Sequence, residues 1–136
     1  MRAGWAFTRL QLLALALFVA STIFALAQAQ FPFDSEMVLD VPPLPGSKRV
    51  PILEILADGR VMIDLWCRSG EGLAKVTGDA IKFTLGPLHE EFCTPERQQR
   101  DEDLAAALAQ VTQWRREDDV VVLIGPTQLR YRLSTH

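Results

Sequence analysis

The sequence predicts an α+β fold in which antiparallel strands pack against one helix. Three observations carry that prediction. Two-residue turn signals, Asp58-Gly59 and Gly78-Asp79, each lie between apolar or alternating runs, the pattern of β-hairpins. The residue period changes to that of a helix between Pro95 and about Gln113. Two further apolar runs, Val120 to Ile124 and Leu129 to Leu133, flank a Gly125-Pro126-Thr127 turn and close the chain as a terminal hairpin.

The elements follow in order. Met37-Val38-Leu39, continued by Val41, reads as a short edge strand stopped by Pro42-Pro43. Pro45 and Gly46 extend the turn, and Ser47-Lys48-Arg49 reads as a solvated basic exit. Val50 to Ala57 and Val61 to Trp66 are the arms of the first hairpin. In the second arm Val61, Ile63 and Leu65 share one face, and Cys67 continues it toward the core. Arg68-Ser69-Gly70-Glu71-Gly72 has two glycines and no apolar residue, so it reads as a bend or bulge. Leu73 to Thr77 and Ala80 to Leu85 make the second hairpin, and Gly86-Pro87 interrupts the chain before a short extended run from Leu88 to Cys93. Thr94 is an N-cap with Pro95 at the first helical position. Leu104, Leu108 and Val111 then form the apolar stripe, the acidic residues Glu96 and Asp101 to Asp103 lie early in the helix, and Arg115 and Arg116 follow its end.

Composition sets the class. With 49% hydrophobic and 23% charged residues, the chain is neither disordered nor a multi-spanning membrane protein. Residues 1–29 read as a cleavable signal peptide. Arg2 and Arg9 precede an almost wholly apolar run to Leu26, and the small-residue patterns Ala25-Leu26-Ala27 and Ala27-Gln28-Ala29 offer cleavage before Gln28 or Gln30. An uncleaved anchor is the rival reading. No Cys follows the apolar run, so a lipoprotein anchor is not expected. The mature chain, residues 30–136, is a single domain of 107 residues, large enough for one core. The whole chain holds 14 basic and 17 acidic residues; without Arg2 and Arg9 the mature chain carries −5. That acidity argues against nucleic acid or anionic membrane surfaces as partners.

Cys67 and Cys93 are the two cysteines of the chain. In a small exported domain they are expected to form a structural disulfide. The alternatives are a buried reduced pair and a redox or metal site, but the spacing is neither Cys-x-x-Cys nor that of a four-ligand zinc centre. His89, Glu90 and Glu91 lack the His-Glu-x-x-His spacing of a helical zinc site. Ser69, Asp64 and His89 lack the Gly-x-Ser-x-Gly setting of a nucleophile elbow. No catalytic residue, metal or cofactor is therefore expected. Trp66 and Trp114 read first as core or rim aromatics. Trp114 beside Arg115 and Arg116, with Arg130 and Arg132 on one face of the last strand, is the candidate contact surface for a ligand or partner.

In this order the motifs resemble the META domain, the module of the HslJ-like bacterial envelope proteins. The resemblance is carried by Asp58-Gly59-Arg60, Cys67, Gly78-Asp79-Ala80-Ile81, Cys93-Thr94-Pro95-Glu96, Asp103-Leu104 with Ala107-Leu108, and Leu129 to Leu133. Three positions depart from the family pattern: Arg68 stands in place of Asn, His89-Glu90-Glu91-Phe92 precedes the second Cys, and Met37 replaces an early Trp. The resemblance implies a small antiparallel meander, partly barrel-like, wrapped against one helix. It also implies a periplasmic or secreted protein, non-enzymatic, that supports envelope integrity or stress tolerance through an envelope protein or cell-wall component. The expected mature chain is monomeric and has no membrane span. The alternative function is a small-molecule or peptide binding module using the Trp114 and arginine face or a pocket between sheet and helix.

Overall fold

The computed structural model describes residues 29–135. The leader, read over residues 1–29, therefore falls almost wholly outside the described residues, as does His136. Eight strands and one helix follow one another: β1 (Met37–Leu39), β2 (Ile52–Ile55), β3 (Arg60–Asp64), β4 (Ser69–Thr77), β5 (Ala80–Leu85), α1 (Pro95–Ala109), β6 (Gln113–Glu117), β7 (Val120–Ile124) and β8 (Leu129–Leu133). Each strand pairs antiparallel with the next, and β8 returns to pair with β1 through Val38↔Arg132 and Leu39↔Tyr131. The sheet is thus a closed barrel, which the expectation of a partly barrel-like meander understated.

Alternation along the strands fills the interior. Met37, Leu53, Val61, Ile63, Ile81, Phe83, Trp114, Val121, Leu123 and Tyr131 are buried in one cluster, as expected for an eight-stranded barrel whose lumen just admits side chains. Complete burial pushes the Tyr131 phenol well above its ordinary pKa, so it stays neutral in the core.

Two sequence expectations change here. The glycine-rich stretch after Cys67 is strand, not bend. Gly70 pairs with Ile63 and Gly72 with both Val61 and Leu85, and the chain around Gly72 is crowded. A Cβ built on Gly72 would lie 2.6 Å from the Thr84 carbonyl oxygen and 2.9 Å from Leu85 Cα, so glycine marks close backbone approach within a strand. The turn lies just before it. Leu65 N–H donates to the Arg68 carbonyl at 2.8 Å, which puts Trp66 and Cys67 at the tip of the β3–β4 hairpin; Cys67 is half-buried there and does not extend the inward face of β3.

The second change concerns the helix. Thr94 caps it by accepting from Arg97 N–H, and Pro95 opens its first turn, but it ends at Ala109, not near Gln113. Strand pairing takes over immediately: Ile81 N–H donates to the Thr112 carbonyl and Thr112 N–H donates to the Ile124 carbonyl. Arg115 and Arg116 do come after the helix end, but within β6, opposite Val122 and Val121, and no basic residue stands in the last turn of α1.

Gly72→Ala should destabilise the domain by about 1–3 kcal/mol, because the added methyl meets backbone that cannot rotate away. Urea unfolding reads this directly, and a variant as stable as the parent would contradict a strand at this position.

Candidate functional site

Three surfaces collect the residues that chemistry or recognition would use. The first is the junction of α1 with the β3–β4 tip. Cys67 and Cys93 are disulfide-bonded, with Cα atoms 6.0 Å apart, which ties the hairpin tip to the residue before the helix cap. Beside the bond lies Asp101, the one fully buried charged side chain among the described residues. Its carboxylate accepts from Cys67 N–H at 3.1 Å, from Arg68 N–H at 2.8 Å and from Arg68 Nε at 3.4 Å. Arg68 also donates to the Gln98 carbonyl at 3.3 Å and meets Glu102 at 3.6 Å. Sequence reading placed Asp101 only among the acidic residues of the early helix. The signal for its burial was present: it precedes Leu104 by three and Leu108 by seven, so it stands on the apolar stripe.

The second surface is the arginine face of β6, β7 and β8. Trp114 is not part of it. The indole is 5% exposed, its Nε1–H donates to the Gly78 carbonyl at 2.8 Å, and its ring meets Phe31 edge-on at 5.1 Å. That geometry removes the stacking surface read for Trp114 from solvent. Arg115, Arg130 and Arg132 do lie together on the outside, whereas Arg116, in register with Val121 and Tyr131, is on the opposite face of β6. Glu117 accepts from Arg115 and Arg130, each at 2.9 Å, while Arg132 reaches Asp40 at 3.2 Å and Asp119 at 3.3 Å. Arg116 donates to the Asp118 carbonyl at 2.8 Å. The hydrogen bonds from Arg130 and Arg115 hold the Glu117 carboxyl below its ordinary value of 4.5, and Asp40 raises the Arg132 pKa. Val122 lies between Arg115 and Arg130, and Val120 between Glu117 and Arg132. Both valines are buried although their neighbours Val121 and Leu123 point inward; the aliphatic stems of the arginines cover them.

The third surface is concave. A groove of about 820 Å³ runs between β5, the end of α1 and the β7–β8 turn, walled by Ala80, Ile81, Val111, Ile124 and Pro126 and edged by Lys75 and Lys82. It opens where the β5–β6 ladder is reduced to the single pair Ala80↔Gln113.

The structure also brings Asp64, Ser69 and His89 to one shallow cleft of about 330 Å³ with Glu36, Glu54, Met62 and Glu71. Their chemistry is not coupled there. Asp64 faces Arg49 at 3.2 Å, and His89 meets Ser69 through its backbone N–H, which donates to the Ser69 carbonyl at 2.8 Å. Among the described residues, no three His, Cys, Asp or Glu side chains converge as a metal-holding group, and no helix is long and apolar enough to cross a membrane. Trp66 is 7% exposed and belongs to the core.

A closed antiparallel barrel with one helix inserted between β5 and β6, tied by a disulfide to a hairpin tip, defines a class of small single-core domain. Within that class the chain belongs to the META domain family, whose profile matches residues 29–135. The fold is similar to that of a protein from Burkholderia xenovorans solved by NMR, at 18% identity over 76% of this chain and 84% of that one, with a TM-score of 0.61. A second NMR structure is similar at 15% identity over 73% of this chain and 88% of that one, with a TM-score of 0.58. A DUF4847 family protein from Bacteroides vulgatus is similar at 13% identity and a TM-score of 0.51, over 60% of this chain and 57% of that one. These likenesses concern the fold. Comparison with curated proteins gave no match.

Two outcomes are expected from this geometry. Asp101→Ala leaves two backbone donors and the Arg68 guanidinium without their acceptor, so it should lower stability by about 3–5 kcal/mol in urea unfolding; a loss below about 1 kcal/mol would show that the anchor is dispensable. Glu117 has a depressed folded pKa, so its contribution is fully present above the unfolded value and is lost as pH falls through the lower folded value. The melting temperature of the parent should therefore exceed that of Glu117→Gln at neutral pH and converge with it on acidification below the ordinary Glu range. A difference independent of pH would contradict the ion network.

Proposed function

We propose that the protein is an exported, non-enzymatic META-domain module that supports the cell envelope, including under stress, through contacts with an envelope protein or a cell-wall component. The observation that carries this reading is the Cys67–Cys93 bond. A disulfide that closes a 26-residue separation persists in the periplasm or outside the cell and is rare where thiol reductants prevail. The amino-terminal composition, with Arg2 and Arg9 ahead of an apolar run, points to the same compartment. The arginine face, with Arg115, Arg130 and Arg132 exposed, is a polar contact surface on this reading, working without Trp114 and Arg116.

The 820 Å³ groove favours a second reading, a binding module for a small molecule or peptide. Ligand sites are concave and mostly apolar with a few placed polar groups, and the groove has that character while the arginine face is convex and internally paired.

Cell fractionation with intact-mass analysis tests export. The expected product is a periplasmic or secreted chain beginning at Gln28 or Gln30, two hydrogens lighter than its dithiol form. Cytoplasmic retention, or both thiols free in the exported protein, would overturn the compartment reading. Crosslinking and pull-down from the envelope under stress should then recover a specific partner, and loss of the gene should sensitise the envelope.

A further inference from the structure

The groove at the end of α1 carries a pair of like charges set directly opposite each other across a ladder. Lys75 of β4 and Lys82 of β5 are direct cross-strand partners, and both are exposed on the outer face. Side chains so placed have Cβ atoms about 4.5–5.5 Å apart, and like charges directly opposite destabilise the pair. On the other strands Arg60, Arg115, Arg130 and Arg132 each meet a carboxylate, as do Arg49 and Arg68 beside them, while Arg97 and Arg116 donate to backbone carbonyls. Neither Lys75 nor Lys82 has an ion-pair partner among the described residues. The two ammonium groups stand at the rim of a groove whose walls are apolar, and its volume of about 820 Å³ lies within the range of about 300–1,000 Å³ typical of small-molecule sites.

The Gly78-Asp79 turn sets this arrangement. Gly78 takes φ 59°, the turn pairs Thr77 with Ala80, and the register then places Lys75 against Lys82 two rungs further on. Thr77 and Ala80 line the same groove, so the charged rim and the apolar wall belong to one continuous surface. An inorganic anion would match the lysines and leave the apolar wall in water; a neutral hydrocarbon would match the wall and leave the like charges opposed. A molecule with an anionic head on an apolar chain matches both.

We propose that this groove binds a single-chain anionic amphiphile of the fatty-acid class, its carboxylate between Lys75 and Lys82 and its chain along Ala80, Ile124 and Pro126. The proposal rests on the binding-module reading above and names its ligand.

The test uses dansyl-labelled undecanoate below its micellar concentration, and the same labelled chain with a trimethylammonium head. The expected result is saturable 1:1 fluorescence enhancement with the carboxylate probe and little with the ammonium probe. Lys75→Gln with Lys82→Gln should weaken carboxylate binding about tenfold, the sum expected of two partly exposed charge contacts. Ala80→Trp, on an exposed wall position, should abolish it. If that variant melts lower than the parent, displacement of the probe by unlabelled dodecanoate but not by inorganic phosphate reports the same site. Equal binding of both probes, still blocked by Ala80→Trp, would overturn the anionic ligand class and leave the groove as a binding site. Absence of saturable binding by either probe would overturn the ligand proposal, and the groove would then be probed with peptides to decide the broader reading. Carboxylate binding that survives both sets of substitutions would place the ligand elsewhere and overturn the assignment.

Discussion

The Asp101 carboxylate is the point on which the joining of helix to barrel depends. Helix α1 turns only Asp101, Leu104 and Leu108 fully inward, a narrow apolar face for fifteen residues, so hydrophobic burial alone holds it weakly. A buried carboxylate is costly unless its oxygens are satisfied, and here the hairpin tip supplies the backbone N–H groups of Cys67 and Arg68 together with the Arg68 guanidinium. Those donors exist only because β3 and β4 turn sharply at Trp66 and Cys67. The fold of the tip and the seating of the helix are therefore one event. The disulfide acts at the same junction from the covalent side. In the chain-entropy model a loop of this size contributes about 3–4 kcal/mol, a large share of the about 5–15 kcal/mol of a small domain.

Arg68 gains its meaning from that junction. The family pattern has Asn at this position in the resemblance drawn from sequence, and this chain has a longer, permanently charged side chain that spans Asp101, Gln98 and Glu102. The change converts a polar turn residue into a clamp over the first half of α1. The guanidinium matches the acidic character of Asp101 and Glu102, so the departure at position 68 is compensated within this chain. Phe92, by contrast, is 97% exposed beside Cys93, and nothing in the structure explains that side chain.

How much of this was legible in the sequence depends on the range of the information. The hairpins at Asp58-Gly59 and Gly78-Asp79 and the Thr94-Pro95 helix start rest on local chemistry, and they stand where the residues put them. The disulfide was legible from compartment and size. Strand β6 was not, because Gln113-Trp114-Arg115-Arg116-Glu117 buries only Trp114 and so shows no alternation of apolar residues; its neighbours across the ladder, not its own composition, make it a strand. The Ser69 to Gly72 segment failed for a related reason: glycines that permit close backbone approach look like glycines that make bends. Barrel closure was partly hidden because β1 has only three residues, yet Met37 and Val38 pair on both sides and complete the ring.

These long-range features also decide where recognition can occur. The lumen is occupied by large side chains from Met37 to Tyr131, so a ligand cannot enter the barrel as it does in wider ones. That leaves the outside as the surface open to contact, and it is uneven in a way that follows from topology. Where β6, β7 and β8 are fully laddered, arginine stems cover Val120 and Val122 and carboxylates neutralise their heads, leaving a closed polar face. Between β5 and β6 the ladder shrinks to one pair because the chain leaves the sheet to form α1 and returns late. The helix end and the β7–β8 turn do not fill that gap. Gly125 approaches Gln110 so closely that a Cβ there would lie 2.8 Å from its carbonyl oxygen, which fixes the far wall while the side toward Lys75 and Lys82 stays open. The groove is thus a consequence of inserting one helix into an otherwise continuous meander, and the same insertion that demands the Asp101 anchor leaves an open concave surface beside it.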